Sequence, residues 1–242
     1  MIVAILISVH LLADFLFQTS AYSEKKRKKL KPLLLHCFIY FIVFEILLLP
    51  ILQFKKAFLL GMIISVLHFL INFIKNKLEK SFPQRRLQIW IFSINQLIHF
   101  ALLIGMNYIF NLENSVSNLY IKLQGYENFK MIILYISVFS IIFEPASVFI
   151  RKLFTSISPK IYPKANLEEL KAGNIIGKLE RIIIAILLLN NQFGVIGFVL
   201  TAKSIARFKQ MENRDFAEKY LIGTLTSFLI VLISVFILKG LL

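Results

Sequence analysis

The chain has 242 residues, 58% of them hydrophobic, a mean hydropathy of +0.76 and a formal net charge of +15. Soluble domains are about 45–50% apolar, so the excess excludes an ordinary soluble domain. The single cysteine, Cys37, excludes an internal disulfide and a four-cysteine zinc site. The positive charge lies in short loops between apolar runs, which ties it to anionic lipid headgroups and topology and excludes nucleic acid as the partner.

Apolar runs longer than about 18 residues recur along the chain, each able to cross a bilayer as a helix. They are continuous rather than alternating, so the expected fold is all-α, a polytopic transmembrane helical bundle of about 6–8 spans. In chain order the spans are expected near 2–21, 32–52, 57–74, 87–110 and 129–150, followed by a weaker pair near 177–190 and 194–210 and a last span at 217–238. The first run lacks a basic n-region and reads as a span, not a cleavable signal. Asn190-Asn191-Gln192-Phe193-Gly194 is a turn signal between the two weaker arms. The first arm is short enough that the pair also reads as a re-entrant hairpin.

The loop after the first span reads Glu24-Lys25-Lys26-Arg27-Lys28-Lys29, and the one after the third holds Lys75, Lys77, Lys80, Arg85 and Arg86. Lysine and arginine mark the cytoplasmic side. The loops at 22–31, 75–86 and 151–175 are therefore expected in the cytoplasm, with both termini outside. The location expected is a membrane with one face on the cytoplasm. Residues 1–110 are read as a four-helix unit bearing the polar residues, and 111–242 as C-terminal membrane helices with a charged hairpin.

His10-Leu11-Leu12-Ala13-Asp14-Phe15 echoes His68-Phe69-Leu70-Ile71-Asn72-Phe73. Each precedes a basic loop and a span with one histidine, His36 or His99. Spans 1–2 and 3–4 are thus expected to form a parallel repeat. All four histidines of the chain lie in these spans. His10, Asp14 and Gln18 share one helix face at i, i+4, i+8, as do His68, Asn72 and Lys75, and Asn95, Gln96 and His99 share about one turn. At about 1.5 Å rise per residue, the span limits place His36, Asp14 and His68 within roughly 6–11 Å of the cytoplasmic boundary, with His10 and His99 deeper.

Polar side chains in hydrocarbon are costly and face the bundle interior. An ionised Asp14 needs a partner or a metal there. Neutral imidazole is a good ligand for zinc, copper, nickel or iron. Two or three histidines with one carboxylate make a catalytic zinc set with an open position for water. The candidate metal ligands are His10, Asp14, His36, His68 and His99, and the candidate catalytic groups Asp14, Gln18 and Gln96. The cofactor implied is zinc or another divalent transition metal. The bland counterpart is a set of interhelical hydrogen bonds.

H-L-x-A-D-F-x-x-Q at His10–Gln18, the histidine opening the second span, H-x-L-x-N on the third and N-Q-x-x-H at Asn95–His99 together resemble the bacterial multipass membrane family known as domain of unknown function 3307. Gly177-Lys178-Leu179-Glu180-Arg181, Ala202–Phe208 and Leu221-Ile222-Gly223-Thr224 resemble its longer members. The resemblance implies that the polar positions belong together and supplies no activity. In the family pattern the third-span position and the one before Gln96 are usually aspartate; here they are Asn72 and Asn95, which are weak ligands and no general base.

In the C-terminal half, Arg181, Lys203 and Arg207 are expected at one level of the hairpin, where they would hold an anionic headgroup or phosphate, with Glu180 pairing Lys203 or Arg207. Glu144-Pro145 within the fifth span is expected to kink it and to need a partner for Glu144. Three functions compete. One is a metal-dependent hydrolase or transferase on a lipid-like or amphipathic substrate. The others are a non-catalytic scaffold or regulatory protein, and a transporter of metal ions or protons. A homo-oligomer or another membrane partner stays open.

Overall fold

The structure, a computed structural model, describes residues 1–15, 29–157 and 167–242. Gln18 and the basic run at 24–28 lie outside the described residues. Ten α-helices occur among those described: α1 (Ile2–Phe15), α2 (Leu30–Leu48), α3 (Phe54–Ser81), α4 (Arg85–Phe110), α5 (Asn118–Gln124), α6 (Phe129–Ile142), α7 (Glu144–Ile157), α8 (Leu167–Leu189), α9 (Phe193–Ala206) and α10 (Arg214–Leu241). No β-strand is present among the described residues. The chain is all-α.

Among the described residues, five stretches are long and apolar enough to cross a membrane: Leu30–Leu48, Phe54–Ser81, Arg85–Phe110, Phe129–Ile157 and Arg214–Leu241. This is fewer than the expected six to eight. The apolar helix α9 has 14 residues, about 21 Å of helix against a hydrocarbon core of about 30 Å, and α1 is described as far as Phe15. The turn between α8 and α9 falls at Asn190–Gln192, with Asn191 in the left-handed region at φ 58°.

Helix α3 runs seven residues past the limit expected at 74. Asn76-Lys77-Leu78-Glu79-Lys80 contains no breaker, and the helix stops only at Phe82, just before Pro83. The expected 75–86 loop is thus mostly helix, and Arg85 and Arg86 open α4.

The chain divides into two compact units, Met1–Ser140 with Leu241–Leu242, and Ile141–Gly240. In the first, α1 packs on α2 and α4, and α3 packs on α2 and α4, so the four helices close a ring with α1 diagonal to α3. The buried positions show why. On α2 they include Leu33, His36, Tyr40, Phe44 and Leu48; on α3 Ala57, Gly61, Ile64, His68 and Asn72; on α4 Phe92, Asn95, His99, Leu103 and Asn107. These are spacings of three and four, one inward stripe per helix. The opposite faces carry exposed Phe38, Ile42 and Ile46 on α2, Met62, Val66 and Leu70 on α3, and Ile94, Leu97 and Ile98 on α4. A polar-seamed interior under an apolar exterior suits lipid rather than water.

The packed unit reaches past 110, the limit taken from the polar residues, because Leu112, Tyr120 and Phe129 join its core. At this end the α2–α3 turn and the segment after α4 are knitted together. Gln53 N donates to Ser115 O at 2.9 Å, Ser117 N to Ile51 O at 2.9 Å, and Lys56 reaches Phe110 O at 3.2 Å and the Ser115 hydroxyl.

Candidate metal centre

Each inward stripe changes from apolar to polar at a matched level, so His10 and Asp14 of α1, His36 of α2, His68 and Asn72 of α3, and Asn95 and His99 of α4 are all buried together. Asp14 is the only carboxylate among them. Its Oδ1 lies 3.0 Å from His36 Nε2 and 3.7 Å from His68 Nε2, and the two Nε2 atoms are 3.4 Å apart. A tetrahedral shell with metal–ligand bonds of about 2.0–2.1 Å has donor–donor edges of about 3.3–3.4 Å. The three donors therefore already stand at the separations of a three-ligand tetrahedral set. Asn72 adjoins it: its Nδ2 donates to His68 Nε2 at 2.9 Å, occupying the lone pair a metal would take, and to the His68 carbonyl at 3.1 Å.

The other two histidines adjoin. The His99 ring lies 4.7 Å, centre to centre, from both His10 and His68. His10, His68 and His99 form a second three-donor group, as do Asp14, His36 and His68, with all ligand atoms of each group within 4.8 Å of one another. His68 belongs to both.

Two of the expected residues stand differently. Asn95 is buried with neither side-chain polar atom hydrogen-bonded, and half-buried Gln96 has an unpartnered Oε1. Two residues were missed. Tyr40, fully buried, stacks on His68 at 3.9 Å and 9°, and its hydroxyl lies 2.9 Å from His10 Nδ1. Its position four residues after His36, on the same helical face, was the available signal. Glu45 is also buried, with both carboxylate oxygens unpartnered. It lies against Gly61, where an added Cβ would fall 1.8 Å from Glu45 Oε1. A single acid in an apolar run gives no hint of that notch.

In the second unit Arg181, Lys203 and Arg207 serve separate partners. Arg181 is buried. Its Nε donates to Ile142 O at 2.7 Å, and one terminal nitrogen to Phe143 O at 3.3 Å and Ser147 Oγ at 2.6 Å. It thus satisfies carbonyls left free where α6 ends at Ile142, at the break before α7. Lys203 donates to Glu180 Oε2 at 2.5 Å and Thr224 Oγ1 at 2.9 Å, and Arg207 lies 6.0 Å over the Phe216 ring. The expected shared anion site would have to draw Arg181 out of a buried role. Glu144 pairs with Lys178, which also lies over Phe143 at 4.6 Å.

The family described as Protein of unknown function (DUF3307) matches residues 2–125, the stretch that holds every histidine, Asp14, Asn72 and Asn95. No curated protein and no solved structure matches the chain. The matched stretch covers just over half of the sequence, and the chain belongs to the DUF3307 family.

Proposed function

We propose that Asp14, His36 and His68 hold a divalent transition metal of the zinc class, and that the protein is a metal-dependent membrane hydrolase or transferase acting on a lipid-like or amphipathic substrate. The observation that carries this is the donor spacing of 3.0, 3.4 and 3.7 Å among three buried side chains from three helices. Three protein ligands leave a fourth position for water or substrate, as in catalytic rather than structural zinc sites. A metal bound there supplies Lewis acidity toward an ester or phosphoester. Tyr40 holds the plane of the His68 ring by stacking, and Asn72, whose Nδ2 would give up His68 Nε2 to a metal, keeps its bond to the His68 carbonyl. The position of the centre within an apolar-faced helical unit supports a substrate that arrives from the bilayer. The basic loops support a bacterial cytoplasmic membrane with the N-terminus outside.

The test is metal content of detergent-purified protein by elemental mass spectrometry, beside His36→Ala. Stoichiometric metal in the wild type and at least tenfold weaker retention in the variant is the expected result, with chelator-sensitive cleavage of an amphipathic ester to follow. Absence of metal after zinc reconstitution overturns the reading.

A second reading, transport of a metal ion or proton through the same centre, is favoured by Glu45. A buried, unpartnered carboxylate on α2, nine residues beyond His36, extends the polar groups toward the opposite end of the helix. Ion flux in proteoliposomes, lost in Glu45→Gln, would favour transport over turnover.

A further inference from the structure

The set formed by Asp14, His36 and His68 uses only one edge of the His68 imidazole. Nε2 faces Asn72, His36 and Asp14. Nδ1, on the other edge, is buried and has no hydrogen-bond partner. A second imidazole nitrogen is in the same state: His10 Nε2 is buried without a partner, while His10 Nδ1 is engaged by Tyr40 at 2.9 Å. With Nδ1–H donating to the tyrosine oxygen, Nε2 presents its lone pair, which is the usual arrangement of a metal-ligating histidine and its supporting partner. Leaving such nitrogens bare in a buried site is destabilising. His99 completes the surroundings, its ring 4.7 Å from both His10 and His68.

We propose that His68 bridges two metal ions, the first held with Asp14 and His36 and the second with His10 and His99. The proposal rests on the metal reading of this centre and adds to it a second site with its own ligands. The two donor groups differ in chemistry. The first contains a carboxylate, whereas the second is made of imidazoles alone and suits zinc or copper. They also differ in helices: α1, α2 and α3 build the first, and α1, α3 and α4 the second. Coordination by both nitrogens requires His68 to lose its remaining ring proton. Loading the second ion therefore releases that proton to solvent. Tyr40 is placed for this role twice, orienting His10 through its hydroxyl and stacking on the bridging ring at 3.9 Å.

The experiment is metal titration of chelator-stripped, detergent-purified full-length protein with zinc and, separately, copper(II). Two zinc ions per chain are expected in the wild type, and one in His10→Ala or His99→Ala. Copper-loaded wild type should show magnetic exchange through the imidazole, its paramagnetic resonance signal integrating to less than half of the bound copper. This measurement needs no variant and stands even if His10→Ala does not fold. One ion per chain in the wild type, unchanged in His10→Ala, would overturn the bridge and leave the Asp14–His36–His68 site standing. Two ions with a full, uncoupled copper signal would also overturn it. No bound metal of either kind would remove the first site as well.

Discussion

Tyr40 makes two contacts that ask for different parts of the side chain: the ring stacks on His68 and the hydroxyl meets His10. Tyr40→Phe separates them. It should weaken zinc binding about 10–100-fold, the usual cost of losing a supporting partner of a metal ligand, and lower the stability of the metal-free protein by about 1–3 kcal/mol, because the buried His10 Nδ1 loses its partner while the stacking on His68 stays; competition with a fluorescent chelator measures the first and a denaturant titration the second. Gly61 gives a sharper residue-scale case, because an added methyl would collide with Glu45 Oε1 at 1.8 Å. Gly61→Ala should destabilise by about 1–3 kcal/mol, the range for overpacking. Gly61→Ala combined with Glu45→Ala should recover most of that loss in a denaturant titration, since the group in the way is gone. Purely additive losses would show that the glycine serves something other than the carboxylate.

At the scale of elements, the inward stripes of α2, α3 and α4 place apolar and polar residues on one face with the same three-four spacing. A span hydrophobic on every side except for that seam needs partners to cover the seam, and the ring of four helices provides them. The break between α6 and α7 has a similar logic in the second unit. Pro145 interrupts the ladder, and Arg181 from α8 takes the carbonyls of Ile142 and Phe143. Removing Arg181 as Arg181→Met should cost about 1.5–3 kcal/mol, the value of hydrogen bonds to a charged group, read as a lowered unfolding midpoint. The α8–α9 pair is tied by Lys203 to Glu180, whose side chain is only 6% exposed. Lys203→Met leaves that carboxylate unpaired and should destabilise more than the double variant with Glu180→Gln, because a lone buried charge is costlier than no pair at all.

For the whole molecule, the two units carry different loads. The family match and the four histidines fall in the first, while the second holds the α6–α7 break and the charged hairpin. Metal binding should therefore stabilise the first unit selectively. Zinc at about 100 times its dissociation constant adds about 2.7 kcal/mol to the unit that binds it. The expected observation is slower hydrogen exchange in α1–α4 on adding zinc, with α8–α10 unchanged. Uniform protection across both units, or none, would argue against a metal held by the four-helix ring.

The all-α class, the apolar spans, the turn at Asn190–Gln192, the proline break and the family were legible from sequence because each depends on local chain chemistry or on a linear motif. Hydrophobic run length is set by the bilayer, proline acts on its own helix, and i, i+4 spacing places His10 beside Asp14 whatever surrounds them. Which side chains meet across helices was not legible. His68 falls in both donor groups, Tyr40 stacks on it, and Gly61 makes room for Glu45. Each depends on the rotation and axial offset of one helix against another, which the sum of many packing contacts determines. The same reason gives Arg181 different partners from Lys203 and Arg207. Their charges are plain in the sequence, but the carbonyls that claim Arg181 exist only where α8 packs beside the broken helix.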